Sequence, residues 1–186
     1  MTTKYLLDAN VLYSYTLRDI FITLATRGLR IHWSTQIETE FVRARGRKSP
    51  EQAIKAKAVV GLMRRAVPDW KASASRAYIA SLDLPDPDDR HVLAAAIQAG
   101  AQVIVTDNRR DFPPATLEAH GITLMSPDQV LCSLHDADPE GIVAAAAEMR
   151  ARMVNPSRFP GEWLERLEAA GARALAGRLR PFSARL

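Results

Sequence analysis

A chain of 186 residues, 47% hydrophobic and 25% charged, has the size of one ordinary domain, about 100–200 residues, and the composition of a folded globular protein. Its longest apolar runs, 92–97 and 142–147, fall far short of the about 20 residues that span a bilayer, and no basic segment followed by a long apolar one opens it; a cytoplasmic protein with no membrane contact is expected. The single cysteine, Cys132, excludes an internal disulfide and a Cys-rich zinc site, so any metal must use oxygen or imidazole donors.

The net charge is only +4, but it is unevenly spread. Ten Lys/Arg face two acids, Glu51 and Asp69, between Arg43 and Arg76, whereas residues 83–111 hold six Asp against three Arg. After Gly171 come Arg173, Arg178, Arg180 and Arg185 with no acid. Basic flanks of this kind attract polyanions, although solvated helix faces carry the same runs.

In chain order, the apolar run 4–7 reads as a strand ending at Asp8-Ala9-Asn10, and 11–27 as a helix with Leu17, Phe21, Leu24 and Ala25 on one side. Gly28 ends it. Residues 29–33 predict a second strand, and Thr35-x-x-Glu38 has the form of a capping box opening a helix. A helix from Ser49-Pro50 to Ala66 follows, then a weaker one from Pro68-Asp69 to Ser81. The Pro- and Asp-rich loop 83–89 leads into the Ala-rich helix 90–99, which Gly100 stops. Val103-Ile104-Val105 suits a strand buried on both faces, and 122–125 reads as another.

This alternation predicts an α/β fold over residues 1–133, a three-layer α/β/α domain around a parallel sheet. Residues 134–186 predict an appended helical arm, with helices at 142–153 and 162–176 separated by the Asn155-Pro156 and Pro160-Gly161 breaks. Its Leu164, Leu167, Leu175 stripe can pack on a sister chain or on its own domain. No Gly-rich phosphate loop is present.

Ligands of open parallel sheets bind outside the carboxyl ends of the strands. Here those ends carry Asp8 and Asn10, then Thr106, Asp107, Asn108 and, slightly later, Asp111. Taken singly, Asp and Asn cap helices and shape turns. On a helical wheel, however, Asp89 faces the side occupied by Val92, Leu93, Ala96 and Ile97, a coreward direction that capping does not require. Glu40 borders the face of Ile37, Phe41 and Ala44, with Glu38 assigned to the cap. His91 falls opposite Asp89 on the same wheel and reads as surface. If Asp8, Glu40, Asp89 and Asp107 or Asp111 converge, each close pair repels by about 4 kcal/mol at an effective dielectric near 20. A hard cation with oxygen ligands, Mg²⁺ or Mn²⁺, offsets this at neutral pH.

These residues resemble the PIN domain, the small Mg²⁺-dependent ribonuclease fold, and within it the toxin component of VapBC-type toxin–antitoxin pairs. The resemblance spans most of residues 4–133. It is carried by Leu6-Leu7-Asp8-Ala9-Asn10-Val11, by Glu40 within Glu38-Thr39-Glu40-Phe41, by Asp89 heading Arg90-His91-Val92-Leu93-Ala94-Ala95-Ala96, and by Val105-Thr106-Asp107-Asn108-Arg109-Arg110-Asp111-Phe112. It implies a metal site of Asp8, Glu40, Asp89 and an acid from the 106–111 loop. Many relatives place that acid two residues after the Thr, where this chain has Asn108, so either Asp107 or Asp111 stands in or the site binds one metal more weakly. Asn10, Thr106 and Asn108 then contact water or phosphate, and Arg43, Arg45, Arg47 and Lys48 draw in RNA. An antitoxin partner and a homodimer are further implications.

Two other readings fit part of the pattern. A haloacid-dehalogenase-like phosphatase would use Asp8 as nucleophile, but needs an Asp where Asn10 stands and a later Gly-Asp-x-x-x-Asp that is absent. A degenerate PIN domain would bind RNA or protein through its basic flank without holding metal, an alternative that Asn108 favours.

Overall fold

The structure, a computed structural model, describes residues 3–153 and 159–186. Strand β1, Lys4–Leu7, stops at Asp8, whose carboxylate accepts the Ala9 N–H and caps helix α1, Ala9–Tyr13. The apolar period of 11–27 runs on, but the helix does not. Ser14 ends α1 by donating its N–H to Asn10 O and opens α2, Tyr15–Thr26, by accepting the Leu17 N–H. A serine hydroxyl competes for backbone groups, which suits it to such a joint.

Strand β2 is Arg30–His32, and helix α3, Thr35–Gly46, is capped by Ser34 rather than by Thr35. Helix α4 is Pro50–Ala66. The helix expected from Pro68-Asp69 is absent: Trp70–Ala72 lies extended beside Trp33, with Trp33 N–H to Trp70 O and Ala72 N–H to Trp33 O both at 2.9 Å. Only Arg76–Ser81 coils, as α5. A 3₁₀ turn, Pro87–Asp89, precedes α6, Arg90–Ala99, which Gly100 terminates at φ 62, a left-handed conformation that a side chain would strain.

Strand β3 is Val103–Val105, a short helix α7 is Pro114–Glu118 and strand β4 is Thr123–Met125. The four strands run parallel in the order β2-β1-β3-β4, with Tyr5 opposite Ile31 and Val103, and Val105 opposite Met125. All of β3 is buried, as its unbroken apolar run predicts for a sheet covered on both faces. Adjacent carboxyl ends are tied together: Asp8 N–H donates to Val105 O at 3.1 Å and Thr106 N–H to Met125 O at 3.0 Å. This ladder brings Asp8 and Thr106 side by side.

Ser126 and Gln129 form a capping box that opens α8, Pro127–Ala137. The arm continues as α9, Pro139–Ala151, α10, Pro160–Ala169, α11, Arg173–Leu179, and a last 3₁₀ turn, Arg180–Arg185. Gly171, at φ 97, splits the single helix expected over 162–176. The Asn155-Pro156 break lies outside the described residues. Helix α8 runs through position 133, and the Asp128 carboxylate on it accepts the N–H groups of Ala174 and Leu175 at 2.9 Å each. Leu164, Leu167 and Leu175 are buried in one continuous core with the sheet, so the stripe packs on its own chain. Among the described residues no helix is long and apolar enough to cross a membrane.

Candidate active site

Asp8 is the most enclosed acid at the sheet end, 6% exposed. Its Oδ1 accepts the Ala9 N–H at 2.6 Å, and its Oδ2 accepts from Asn10 Nδ2 at 2.8 Å and from the Thr106 hydroxyl at 2.7 Å. Burial pushes its pKa up, against the pull of the Thr106 and Ala9 bonds. Thr106, fully buried, donates to Asp8 and accepts from Asn10 Nδ2 at 2.6 Å and from the Asn108 N–H at 3.0 Å. Asn10, Thr106 and Asn108 are thus engaged with one another and with the acids.

That network gives a direct expectation. Thr106→Val keeps the shape but removes the hydroxyl that donates to a buried carboxylate and receives two N–H groups. The loss is about 1–3 kcal/mol, since a buried polar group loses its partner, and urea denaturation at neutral pH measures it.

Asp89 stands at the start of α6 without a side-chain capping bond, while Asp86 does the capping of the turn before it, its Oδ1 accepting the Asp88 N–H. The Asp89 carboxyl is pushed up to about 6, first by burial and then by the charges of Asp8, Asp111 and Asp86. Asn108 Nδ2 donates to its Oδ2 at 3.0 Å. Oxygens of Asp86, Asp89 and Asp111 lie within 4.8 Å of one another. The chemistry of such a set, crowded carboxylates with one partly neutralised by proton uptake, fits a hard divalent cation.

The remaining positions divide. Glu40, on α3, meets His91 of α6, with Oε1 2.6 Å from Nε2. His91 is therefore corrected from surface to core: it is 3% exposed, and its Nδ1 has no hydrogen-bond partner among the described residues. Helix α6 is buried on nearly all sides, so the face opposite Asp89 is not a solvent face. Asp107 is exposed, and its charged neighbours are Arg109 and Asp128, so it stands apart from the acids that surround Asp89. Of the two loop acids, Asp111 is the one the fold brings to Asp89. Asp86 joins the group unforeseen, because its capping role hid it among the loop acids.

Glu38 is not a cap. It is 4% exposed; its Oε1 accepts from Trp33 Nε1 at 2.9 Å and from Arg64 Nε at 3.0 Å. In the basic segment, Arg43 and Arg47 are exposed. Arg45 donates to Tyr13 O at 2.7 Å and lies 4.3 Å from the centre of the Tyr13 ring, and Lys48 Nζ lies 5.5 Å from that ring.

Comparison with known proteins finds two families whose models match the chain. The VapC50 C-terminal domain family matches residues 127–181, the part of the chain from α8 onward. A protein of Mycobacterium tuberculosis, strain H37Rv, named "Putative ribonuclease VapC50", is 37% identical over 79 residues, 42% of this chain and 47% of that protein. The match thus spans about half the length of the relative. No solved structure matches the chain. The PIN domain family matches residues 4–110, more than half of the chain and every acid from Asp8 to Asp107; the chain belongs to the PIN domain family.

Proposed function

We propose that the chain is a metal-dependent endoribonuclease that hydrolyses RNA phosphodiester bonds, acting in the cytoplasm as the toxin of a toxin–antitoxin pair. The observation that carries this reading is the gathering of acids beside the carboxyl end of β1: oxygens of Asp86, Asp89 and Asp111 lie within 4.8 Å of one another, Asp8 is close enough to oppose the ionisation of Asp89, and Glu40 that of Asp8. Asp86, Asp89 and Asp111 would hold Mg²⁺ or Mn²⁺, with Asp8 beside them as a further ligand. A bound ion of this kind lowers the pKa of an attacking water and neutralises charge at the phosphate.

The chain's own groups do the rest. Three donors fix the Asp8 carboxylate in one orientation before any substrate arrives, which removes a reorganisation cost from the reaction. Glu40 has one oxygen held by His91, leaving Oε2 to accept a proton from the attacking water. Asn108 donates to Asp89 and so keeps its outer oxygen pointed in one direction. The antitoxin would be a protein that presents a basic side chain to these acids.

The test is the chemistry of the products. Cleavage of RNA to 5′-phosphate and 3′-hydroxyl ends, lost in EDTA and regained with Mn²⁺, is expected; 2′,3′-cyclic phosphate ends that persist in EDTA overturn it. One observation favours a second reading, a PIN domain that binds RNA without cutting: Asn108 supplies an amide where a carboxylate would add a ligand. Calorimetric titration with Mn²⁺ separates the two, since binding lost in Asp8→Asn supports the nuclease and no binding in the parent supports the binding module. The phosphatase alternative loses its footing, because Asp8 Oδ2 already accepts two hydrogen bonds and Asn10 is committed to Asp8 and Thr106.

A further inference from the structure

Tyr13 and Tyr15 flank the Ser14 joint, one ending α1 and the other opening α2. Helix α1 is capped by Asp8 and five residues long, so Tyr13 lies about 7.5 Å from Asp8 along its axis, roughly the rise of two stacked nucleotides. Tyr15 is 52% exposed, so one face of its ring is open to a ligand. Beneath it is a cation. The Arg18 guanidinium lies 5.6 Å from the Tyr15 ring centre and 5.4 Å from that of Phe41, and its NH1 donates to Leu12 O at 2.6 Å. Arg18 is itself buried, so the exposed ring rests on a fixed support.

The cations continue from there. Arg18 and Arg45 are close enough to repel, and Arg45 and Lys48 lie against Tyr13 at 4.3 and 5.5 Å. Among the described residues none of Arg18, Arg45 and Lys48 forms an ion pair; Asp19, the carboxylate that faces Arg18, is bridged to Arg152 at 3.5 Å. This surface, which starts at Tyr13 on the helix that Asp8 caps, is therefore a strip of aromatic rings interleaved with cations that form no ion pair among the described residues. Bases stack on such rings and phosphates pair with such cations.

We propose that Tyr15 is a base-stacking platform for single-stranded RNA, with Arg45 and Lys48 holding the adjacent phosphates, so that unpaired strands are led to the acidic cluster in preference to duplex. This inference rests on RNA being the substrate of that cluster. A duplex keeps its bases stacked inside and offers the ring nothing; a single strand offers a free face.

Fluorescence anisotropy of the full chain in EDTA, where no cleavage competes, tests it with a labelled RNA oligonucleotide, single-stranded or annealed to its complement. The single strand is expected to bind more tightly. Tyr15→Ala weakens its binding by about 5- to 150-fold, Tyr15→Phe retains it, and Lys48→Ala lowers the slope of log affinity against log salt by about 0.7. Circular dichroism melting checks that Tyr15→Ala is folded, as a half-exposed side chain allows. Equal binding by the parent and Tyr15→Ala, or equal losses for strand and duplex, overturns the proposal. Tyr15-dependent binding in a parent that cuts no RNA with Mn²⁺ sinks the nuclease reading alone, and cleavage with no dependence of binding on Tyr15 sinks the platform alone.

Discussion

At about pH 7.5, in the absence of divalent ions, the Asp89→Asn protein is expected to melt about 2–8 °C above the parent, and in saturating Mn²⁺ the order reverses. The Asp89 carboxyl titrates at about 6 in the fold, above its ordinary 3.8, because burial and the charges of Asp8, Asp111 and Asp86 oppose ionisation. Between those two values the folded chain binds more protons than the unfolded one, so this group's contribution to stability falls as pH rises from about 4 to about 6 and is fully unfavourable above that. The full shift would correspond to about 3 kcal/mol; Asp89 is partly exposed, and screening reduces this to about 1–2 kcal/mol.

Asparagine removes the charge while its amide oxygen still receives the Asn108 donor. At about pH 5 the difference between the two proteins therefore shrinks. An ion bound by the acids turns the penalty into a ligand set and stabilises the parent by mass action, a gain that Asp89→Asn forgoes together with at least about 100-fold in RNA cleavage, since the ion is asked for several kcal/mol of transition-state stabilisation. Calorimetric melts of both proteins at the two pH values, with and without Mn²⁺, give all four numbers. A variant less stable than the parent without metal, or a parent indifferent to Mn²⁺, would contradict the account of Asp89.

Where the sequence is informative here, the signal is local and repeated. The runs Leu6-Leu7 and Val103-Ile104-Val105 end at the residues that terminate β1 and β3, and the parallel ladder between them is what places Asp8 beside Thr106. The wheel also separates Asp89 from a capping residue, and Asp89 makes no capping bond. What the wheel cannot see is the neighbour on the far side. His91 points away from Asp89 into a surface already covered, because α6 is enclosed rather than half-exposed, and a direction on a helix carries no record of what lies there. Asp107 and Asp111 both follow β3 in one loop and neither stands two residues after Thr106; the turn, pinned by the Asn108 N–H on the Thr106 hydroxyl, leaves Asp107 exposed, while Asp111 lies close to Asp89. The break at Ser14 is invisible for a similar reason, since the apolar period on either side is continuous and only the serine's backbone bonds divide it.

Glu38 shows the same limit at its most consequential, and its removal is expected to cost about 3 kcal/mol. A carboxylate three positions after Thr35 has the look of a capping box, yet it turns inward to partners drawn from two other segments. Its Oε1 accepts the Trp33 indole N–H and Arg64 Nε, and Arg64 also reaches its Oε2. Arg64 in turn lies 4.8 Å from the Trp70 ring, and Trp70 stacks on Trp33 at 5.3 Å and 22°. In Glu38→Ala the indole N–H of a fully buried tryptophan has no acceptor, worth about 1–3 kcal/mol, and the loss of Arg64's partner adds less than the about 3–5 kcal/mol of a wholly buried pair because the arginine side chain is 45% exposed. The melting temperature should drop by about 6–12 °C. Glu38→Gln, which keeps an acceptor for Trp33 and loses only the charge, should lose well under half as much. Both are read by urea denaturation through the fluorescence of Trp33 and Trp70. The consequence reaches the site because Glu38 and Glu40 share α3: the inward anchor on Trp33 and Arg64 sets the rotation of the helix, and that rotation is what turns Glu40 toward His91. In the folded fraction of Glu38→Ala, cleavage should therefore fall through Glu40 while Mn²⁺ binding by Asp8 and Asp89 persists; a variant that matches the parent in both stability and cleavage would mean that α3 is held by its other contacts and that the buried pair is not its anchor.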